Sequence, residues 1–335
     1  AMAANPTRRA DIDWLRVAAT YLLFVFHSAK VFDPVPFFHI RNEELSFTML
    51  VVSGFISLWH MPLFFLLAGW SIVASIDARG PRAFLRERAA RLLLPLIAGC
   101  VLFGPIIKFI ELSGGQDLNA HGLWVSPAIA AGLRQFSPIE LPIMPAFHES
   151  FATFWPTYFT QLDRFTWSHL WFVAYLLTFS IVYLPLFWLV RGTPDGSLRF
   201  SRWWVYVPLP VLCLIQLVLR PRWPGLQNLY DDWANVAYYS TYVWAGFLLA
   251  RFPRLQDAVD TEWRRAAALG TAATFGLLVA LLTHNDRPTI MILGSTIAGW
   301  CLIVALLGAA RGLRAVRPPA LTYLTESAFP VYILH

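Results

Sequence analysis

Arg16 and His27 stand eleven residues apart in DIDWLRVAATYLLFVFHSAK, the stretch from Asp11 to Lys30, which is otherwise apolar. On a helix turning about 100° per residue, eleven steps give three turns plus about 20°, so both side chains share one face about 16 Å apart along the axis. Thr20 falls on the same stripe between them. Histidine exchanges protons near neutral pH, and arginine grips anions such as phosphate. A cation inside a membrane span costs about 2.5–3.5 kcal/mol on insertion scales, so an ionisable pair there marks a functional site. The plainer alternative stays open: Arg16 snorkels to headgroups and His27 hydrogen-bonds a neighbouring helix. Asp13, three residues before Arg16, is its candidate ion-pair partner.

Other chemistry-bearing residues are spread along the chain. ARGPRAFLRERAARLLLPL holds Arg79, Arg82, Arg86, Arg88 and Arg91. Arg88 and Arg91 are three apart on one helix face, suited to gripping phosphate; an anchor on anionic lipid is the competing reading. His60 stands two residues before Pro62, which should free a backbone carbonyl nearby, and packing and catalytic roles are both open. His169 opens a later span, and Tyr332 and His335 close the sequence. Asp231 and Asp232 either face a polar acceptor or make a solvated turn and N-cap. Cys100, Cys213 and Cys301 lie in apolar runs without metal-ligand spacing, so they read as buried free thiols. No metal site, nucleotide loop, zincin or serine-hydrolase motif is expected.

The elements that must carry these residues are membrane helices. Of 335 residues 57% are hydrophobic and only 14% charged, too apolar for an ordinary soluble domain. The chain is expected to be an all-α, polytopic membrane protein forming one domain over residues 1–335 in the lipid bilayer. Apolar runs near 12–32, 48–76, 91–112, 169–190, 203–219, 234–252, 266–282, 290–310 and 320–335 give about nine spans. The net charge of +6 would suggest nucleic acid for a soluble protein, but its distribution along the loops is what matters here, and no nucleic acid is expected. Most of the basic residues cluster in alternate connections, around Arg8 and Arg9, Arg79–Arg91, Arg191–Arg202, Arg251–Arg265 and Arg311–Arg317. The positive-inside rule therefore puts these connections and the N-terminus in the cytoplasm. The segment 113–168, with Pro127, Pro138, Pro142, Pro145 and Pro156 among aromatics, should form short interfacial or re-entrant helices on the exoplasmic side. The sequence stops inside a helix begun near Ala320, so a continuation is expected.

Five ordered motifs carry a resemblance: IDWLR with the Arg16/His27 spacing, MPLFFLLAGW, RAARLLLP, HLWFVAYLL and FPVYILH. Together they resemble the membrane acyltransferase family 3, and SHLWF with TYLTESAFPVYILH looks most similar to its glucan-biosynthesis protein C group, assigned to succinylating periplasmic glucans. The resemblance implies ten or more helices in a bacterial inner membrane. It also implies an enzyme moving an acyl group from cytoplasmic acyl-CoA, acetyl-CoA or succinyl-CoA, to a hydroxyl of a carbohydrate or other exported acceptor on the exoplasmic side. Arg16 and His27 then carry over as essential residues, and Arg88 and Arg91 as the basic pair of the third span.

His27 suits a general base for the acceptor hydroxyl, or an acyl carrier that splits the transfer into two steps. Arg16, braced by Asp13, would hold a donor phosphate, and Arg82, Arg86, Arg88 and Arg91 would line a mouth for the anionic CoA. His60, His169, Tyr332 and His335 are the acceptor-side candidates, and Lys30, Arg41 or His60 could meet a succinyl carboxylate. Two other classes compete. A proton-coupled transporter or flippase would use a buried histidine relay but should show an inverted repeat, and none is visible. A non-catalytic scaffold would keep the arginine cluster only as a lipid anchor.

Overall fold

A computed structural model describes residues 9–35, 38–119, 122–134, 140–194, 199–285 and 287–335; Arg8 and Pro138 lie outside the described residues. The described chain is almost wholly helical: α1 (Ala10–Val31), α2 (Phe47–Arg88), α3 (Leu94–Leu102), α4 (Gly104–Ser113), α5 (Pro127–Leu133), α6 (Phe151–Thr160), α7 (Trp171–Val182), α8 (Leu184–Arg191), α9 (Pro208–Val218), α10 (Trp233–Arg251), α11 (Pro253–Leu282), α12 (Pro288–Ala310) and α13 (Pro319–Leu334). Each of the nine apolar runs is helical. Among the described residues three stretches are long and apolar enough to cross a membrane, Phe47–Leu102, Pro253–Leu282 and Pro288–Leu313. The bent pair Ser168–Val182 and Leu184–Arg191, meeting at 59°, makes a fourth if counted as one span. The other runs fall short for local reasons. α1 carries Asp11, Asp13, Arg16 and Lys30, and α13 has only 16 residues.

The long central helix is the mast on which the others lean. α2 packs against α1, α7, α8, α10 and α12. Its contacts with α10 and α12 are backbone to backbone. A Cβ placed on Gly69 would lie 2.0 Å from the Val243 carbonyl oxygen, and one on Gly246 would lie 1.9 Å from that of Leu66. One on Gly299 would come within 2.3 Å of the Leu58 oxygen. Leu58 is the carbonyl that Pro62, lacking an N–H, leaves without its helical partner, so α12 seats against the flaw in α2.

Gly80 (φ 74, ψ 171) breaks the helical path, and Pro81 starts the next turn with its φ already helical. The chain folds back there: Ser75 Oγ donates to Glu87 Oε2 at 3.2 Å, twelve residues on. The stretch Arg79–Arg91 is thus a helical reversal rather than a loop, and a π-turn at Ala89–Leu93 leads into α3.

The segment 113–168 departs from an all-helical expectation. Strands β1 (Gln116–Asn119) and β2 (Gly122–Val125) pair antiparallel, pairing Gln116 with Val125, ahead of the short helices α5 and α6. α6 is fixed from below by Arg164, which grips Glu149 through two bonds of 2.8 and 2.7 Å and also reaches Thr157 at 2.7 Å. That hydrogen-bonded guanidinium holds the Glu149 carboxyl below the usual carboxylate range.

At the start of α10, Asp232 is buried and caps no helix N–H. Its carboxylate accepts instead from Tyr175 Oη (2.5 Å), Asn235 Nδ2 (2.8 Å) and the Gln227 N–H (3.0 Å), which corrects the solvated N-cap reading. Cys100 and Cys301 are buried free thiols and Cys213 is half-buried.

The glycine contacts are testable. Gly246→Ala should destabilise the protein by about 1–3 kcal/mol through overpacking, read as a lowered thermal midpoint in detergent. Gly276→Ala, where nothing lies within 4 Å, should be neutral or slightly stabilising.

Candidate active site

Two cavities lie along the stripe of α1, one at each end. The first, about 540 Å³, is bordered by His27, His39, His60, His169, Tyr332 and His335 among others. All four acceptor-side candidates therefore come together with His27, although they are drawn from α1, α2, the turn at Ser168–Leu170 and α13. The second, about 530 Å³, is bordered by Arg16, Thr20, Arg79, Glu87, Arg88 and Arg91 over a floor that includes Phe64, Leu67 and Phe172. It sits in the crook of the Gly80 reversal. The helical stripe is realised as expected: its early part, Arg16 and Thr20, faces one cavity, and its later part, Leu23 and His27, faces the other.

Tyr332 borders both cavities. Its ring is buried against Phe64 and Phe172, with centroids 6.2 and 5.5 Å away, and its hydroxyl donates to the His169 carbonyl.

The histidine ring states follow from their partners, because a carbonyl can only accept. His60 Nε2 donates to the Ala19 carbonyl at 2.7 Å, His169 Nε2 to that of Ile333 at 3.0 Å, and His335 Nδ1 to that of Tyr332 at 2.6 Å. Their other ring nitrogens are left as lone pairs; that of His169 faces Ser168 Oγ at 3.3 Å, and His335 Nε2 is buried without a partner among the described residues. His27 differs. Among the described residues neither of its nitrogens is hydrogen-bonded; the ring lies parallel to that of His335, 4.8 Å apart at 4°, and stacks on Phe38 at 5.2 Å. His27 is therefore the cavity histidine held by stacking alone, with its nitrogens left for a substrate.

In the other cavity Arg16 is braced twice, donating to Asp13 Oδ1 at 2.8 Å and to Ser71 Oγ at 3.0 Å. Asp13 is buried and borders neither cavity, so it positions Arg16 rather than meeting a substrate. Glu87 is shared by Arg79 and Arg91, each at 3.2 Å. Arg88 lies over the Phe84 ring, 5.1 Å from its centre, and has no hydrogen bond or ion pair among the described residues. The lining thus has four guanidiniums against one carboxylate, a receptor for a multiply charged anion. Arg82 and Arg86 are exposed and border neither cavity, so the structure does not bring them together with Arg16, Arg79, Arg88 and Arg91. Arg79, though exposed as well, borders the second cavity.

The model of a family described as an acyltransferase domain matches residues 9–335. The chain belongs to that family. No curated protein and no solved structure is similar enough to the chain to count as a match. This membrane acyltransferase thus carries its family's catalytic potential on a chain whose cavities are an arginine-lined pocket and a histidine-lined pocket.

His39, Ser168 and Gln227, which no sequence pattern singles out, also border the histidine cavity, His39 and Gln227 from connections and Ser168 from the turn that precedes α7. His39 is held by Glu111, 72 residues away, and no local spacing could reveal that pairing. Arg79 was visible in the basic cluster, but only the reversal at Gly80 separates it from Arg82 and Arg86.

These environments predict unequal costs on truncation. His60→Ala removes a fully buried ring and its bond to Ala19, and should lower stability by about 2–4 kcal/mol. His27→Ala should cost under about 1 kcal/mol. Thermal unfolding of the two purified variants in the same detergent checks the difference.

Proposed function

We propose that the protein is an O-acyltransferase that binds an acyl-CoA in the arginine cavity and passes its acyl group to a hydroxyl in the histidine cavity. The observation that carries the reading is the placement of Arg16 and His27 on one helical stripe with a cavity at each end and Tyr332 between. The arginine cavity offers CoA phosphates the unpaired Arg88 guanidinium beside Arg79 and Arg91, with Arg16 further in. The acyl arm, thin and partly apolar, suits the Phe64–Leu67–Phe172 floor. In the transfer the hydroxyl oxygen bonds to the acyl carbon as the carbon–sulfur bond breaks, and the CoA sulfur leaves and takes a proton. His27 serves this step as general base or as the first acceptor of the acyl group.

Topology supports the same direction of transfer. Arginines from four of the basic clusters meet at one end of the bundle: Arg9 donates to Gln256, Arg191 pairs with Asp77, Arg251 donates to the Arg191 carbonyl at 3.0 Å, and Arg314 reaches Asp11 at 3.2 Å. By the positive-inside rule that end, with the N-terminus, lies in the cytoplasm, where CoA esters are found. The histidine cavity then faces the outer side of a bacterial inner membrane, and the short and charge-bearing helices complete a bundle of about nine spans. The acceptor is a glycan or another exported molecule with a free hydroxyl, and the acyl group is acetyl or succinyl, the latter by likeness to the glucan-biosynthesis protein C group.

Mass spectrometry of envelope glycans and exported metabolites, from cells with the gene, without it, and with His27→Ala, tests the reading. An acyl mass present only with the intact gene is expected; near-normal acylation by His27→Ala would contradict it. Binding separates the arginines. Arg88→Gln should raise the Kd for acyl-CoA about tenfold or more, while Arg82→Gln and Arg86→Gln should change it less than about twofold, as measured by titration of purified protein.

A further inference from the structure

One histidine reaches the histidine cavity from the connection between α1 and α2. His39 borders the histidine cavity and also an adjoining recess shared with Ser168 and Gln227. Trp167, Asn228 and Tyr230 add aromatic and amide surface to that recess. Its ring Nδ1 faces Oε2 of Glu111, a carboxylate that is only 1% exposed. Both Glu111 oxygens are fixed, because Oε1 accepts from Lys108 Nζ at 2.5 Å and from the Leu118 N–H at 2.8 Å. Lys108, itself fully buried, is tied further to Asp117 at 2.6 Å and to the Leu118 carbonyl at 2.9 Å.

A carboxylate opposite Nδ1 places the proton there and leaves Nε2 as a lone pair, the arrangement that orients histidine bases elsewhere. Nε2 has no hydrogen-bond partner among the described residues. The carboxylate also stabilises the imidazolium that forms when Nε2 takes up a proton. Among the described residues of the cavity no other histidine has this: His60, His169 and His335 rest on backbone carbonyls, and His27 on stacking.

We propose that His39, positioned by Glu111, is the base that takes the acceptor's hydroxyl proton, while His27 serves the acyl group. The inference rests on the acyl-transfer reading above. The O–H bond breaks with its proton passing to His39 Nε2, and the oxygen bonds to the acyl carbon. The bond from that carbon to its carrier, the CoA sulfur or a His27 nitrogen, breaks with its electron pair. The carrier takes a proton from water, and His39 returns one to water through the recess.

The test uses two acceptors that differ in their need for a base. A hydroxyl must lose its proton as it attacks, whereas neutral hydroxylamine attacks a thioester unaided. Full-length wild type, His39→Asn, which keeps a donor toward Glu111, and Glu111→Gln are compared. Glycan acylation in cells is read by mass spectrometry, and hydroxamate formation from acetyl-CoA or succinyl-CoA plus hydroxylamine is read with purified protein as the rate in excess of the reaction without protein. His39→Asn should lose about 100-fold or more of the glycan acylation and keep hydroxamate formation within about threefold. Glu111→Gln should show the same split with a smaller loss. Glycan acylation retained within about threefold by His39→Asn would overturn the proposal, and so would a parallel loss of both reactions in folded protein. If His39→Asn does not purify as a folded species, His39→Gln and Glu111→Gln are read by the same two criteria. Wild type that acylates neither acceptor would overturn the acyl-transfer reading itself, and the role of His39 with it.

Discussion

The buried ring of Tyr332, pinned by its hydroxyl to the His169 carbonyl, is the contact on which the two-cavity architecture depends. It joins the last helix to the turn that opens α7, and its ring closes the space between Phe64 and Phe172. The layer stands between the two cavities. For acyl transfer that separation matters, because a thioester open to bulk water would be hydrolysed. In the proposed reaction the donor arm passes this aromatic side chain to reach His27.

Holding such a layer still requires a rigid frame, and α2 supplies it. The backbone contacts through Gly69, Gly246 and Gly299 leave no room for α10 or α12 to shift without a clash. In lipid, where apolar side chains gain little from leaving their surroundings, close backbone approach is the main source of helix adhesion. His60, locked to Ala19, ties α1 to the same frame and so fixes the register of Arg16 and His27 against both cavities. The Gly80 reversal then brings Arg79, Arg88 and Arg91 together beside Arg16 without any long loop.

Much of this was legible in the residues. Helical periodicity alone put Arg16, Thr20 and His27 on one face, since that geometry is local. The Asp13–Arg16 pair follows from three-residue spacing, and each apolar run became a helix. Pro62 marked the freed Leu58 carbonyl, but not that Gly299 would cover it. What stayed hidden was the product of chain reversals and distant pairings. The reversal at Gly80 decides which of these arginines border the cavity: Arg79, Arg88 and Arg91 do, whereas Arg82 and Arg86 do not. The hairpin of β1 and β2 in the segment 113–168 arose where proline and aromatic content suggested only short helices. Asp232, which precedes a helix, serves Tyr175 instead of capping, because burial favoured a side-chain network over the helix end.

A structure of the protein with a non-hydrolysable thioether analogue of acyl-CoA bound would test the two-cavity arrangement most directly. The phosphates should lie against Arg88 and Arg91, and the acyl end should pass Tyr332 to stop beside His27. Phosphates bound at the histidine end, or an acyl end that stays among the arginines with Tyr332 unmoved, would contradict it.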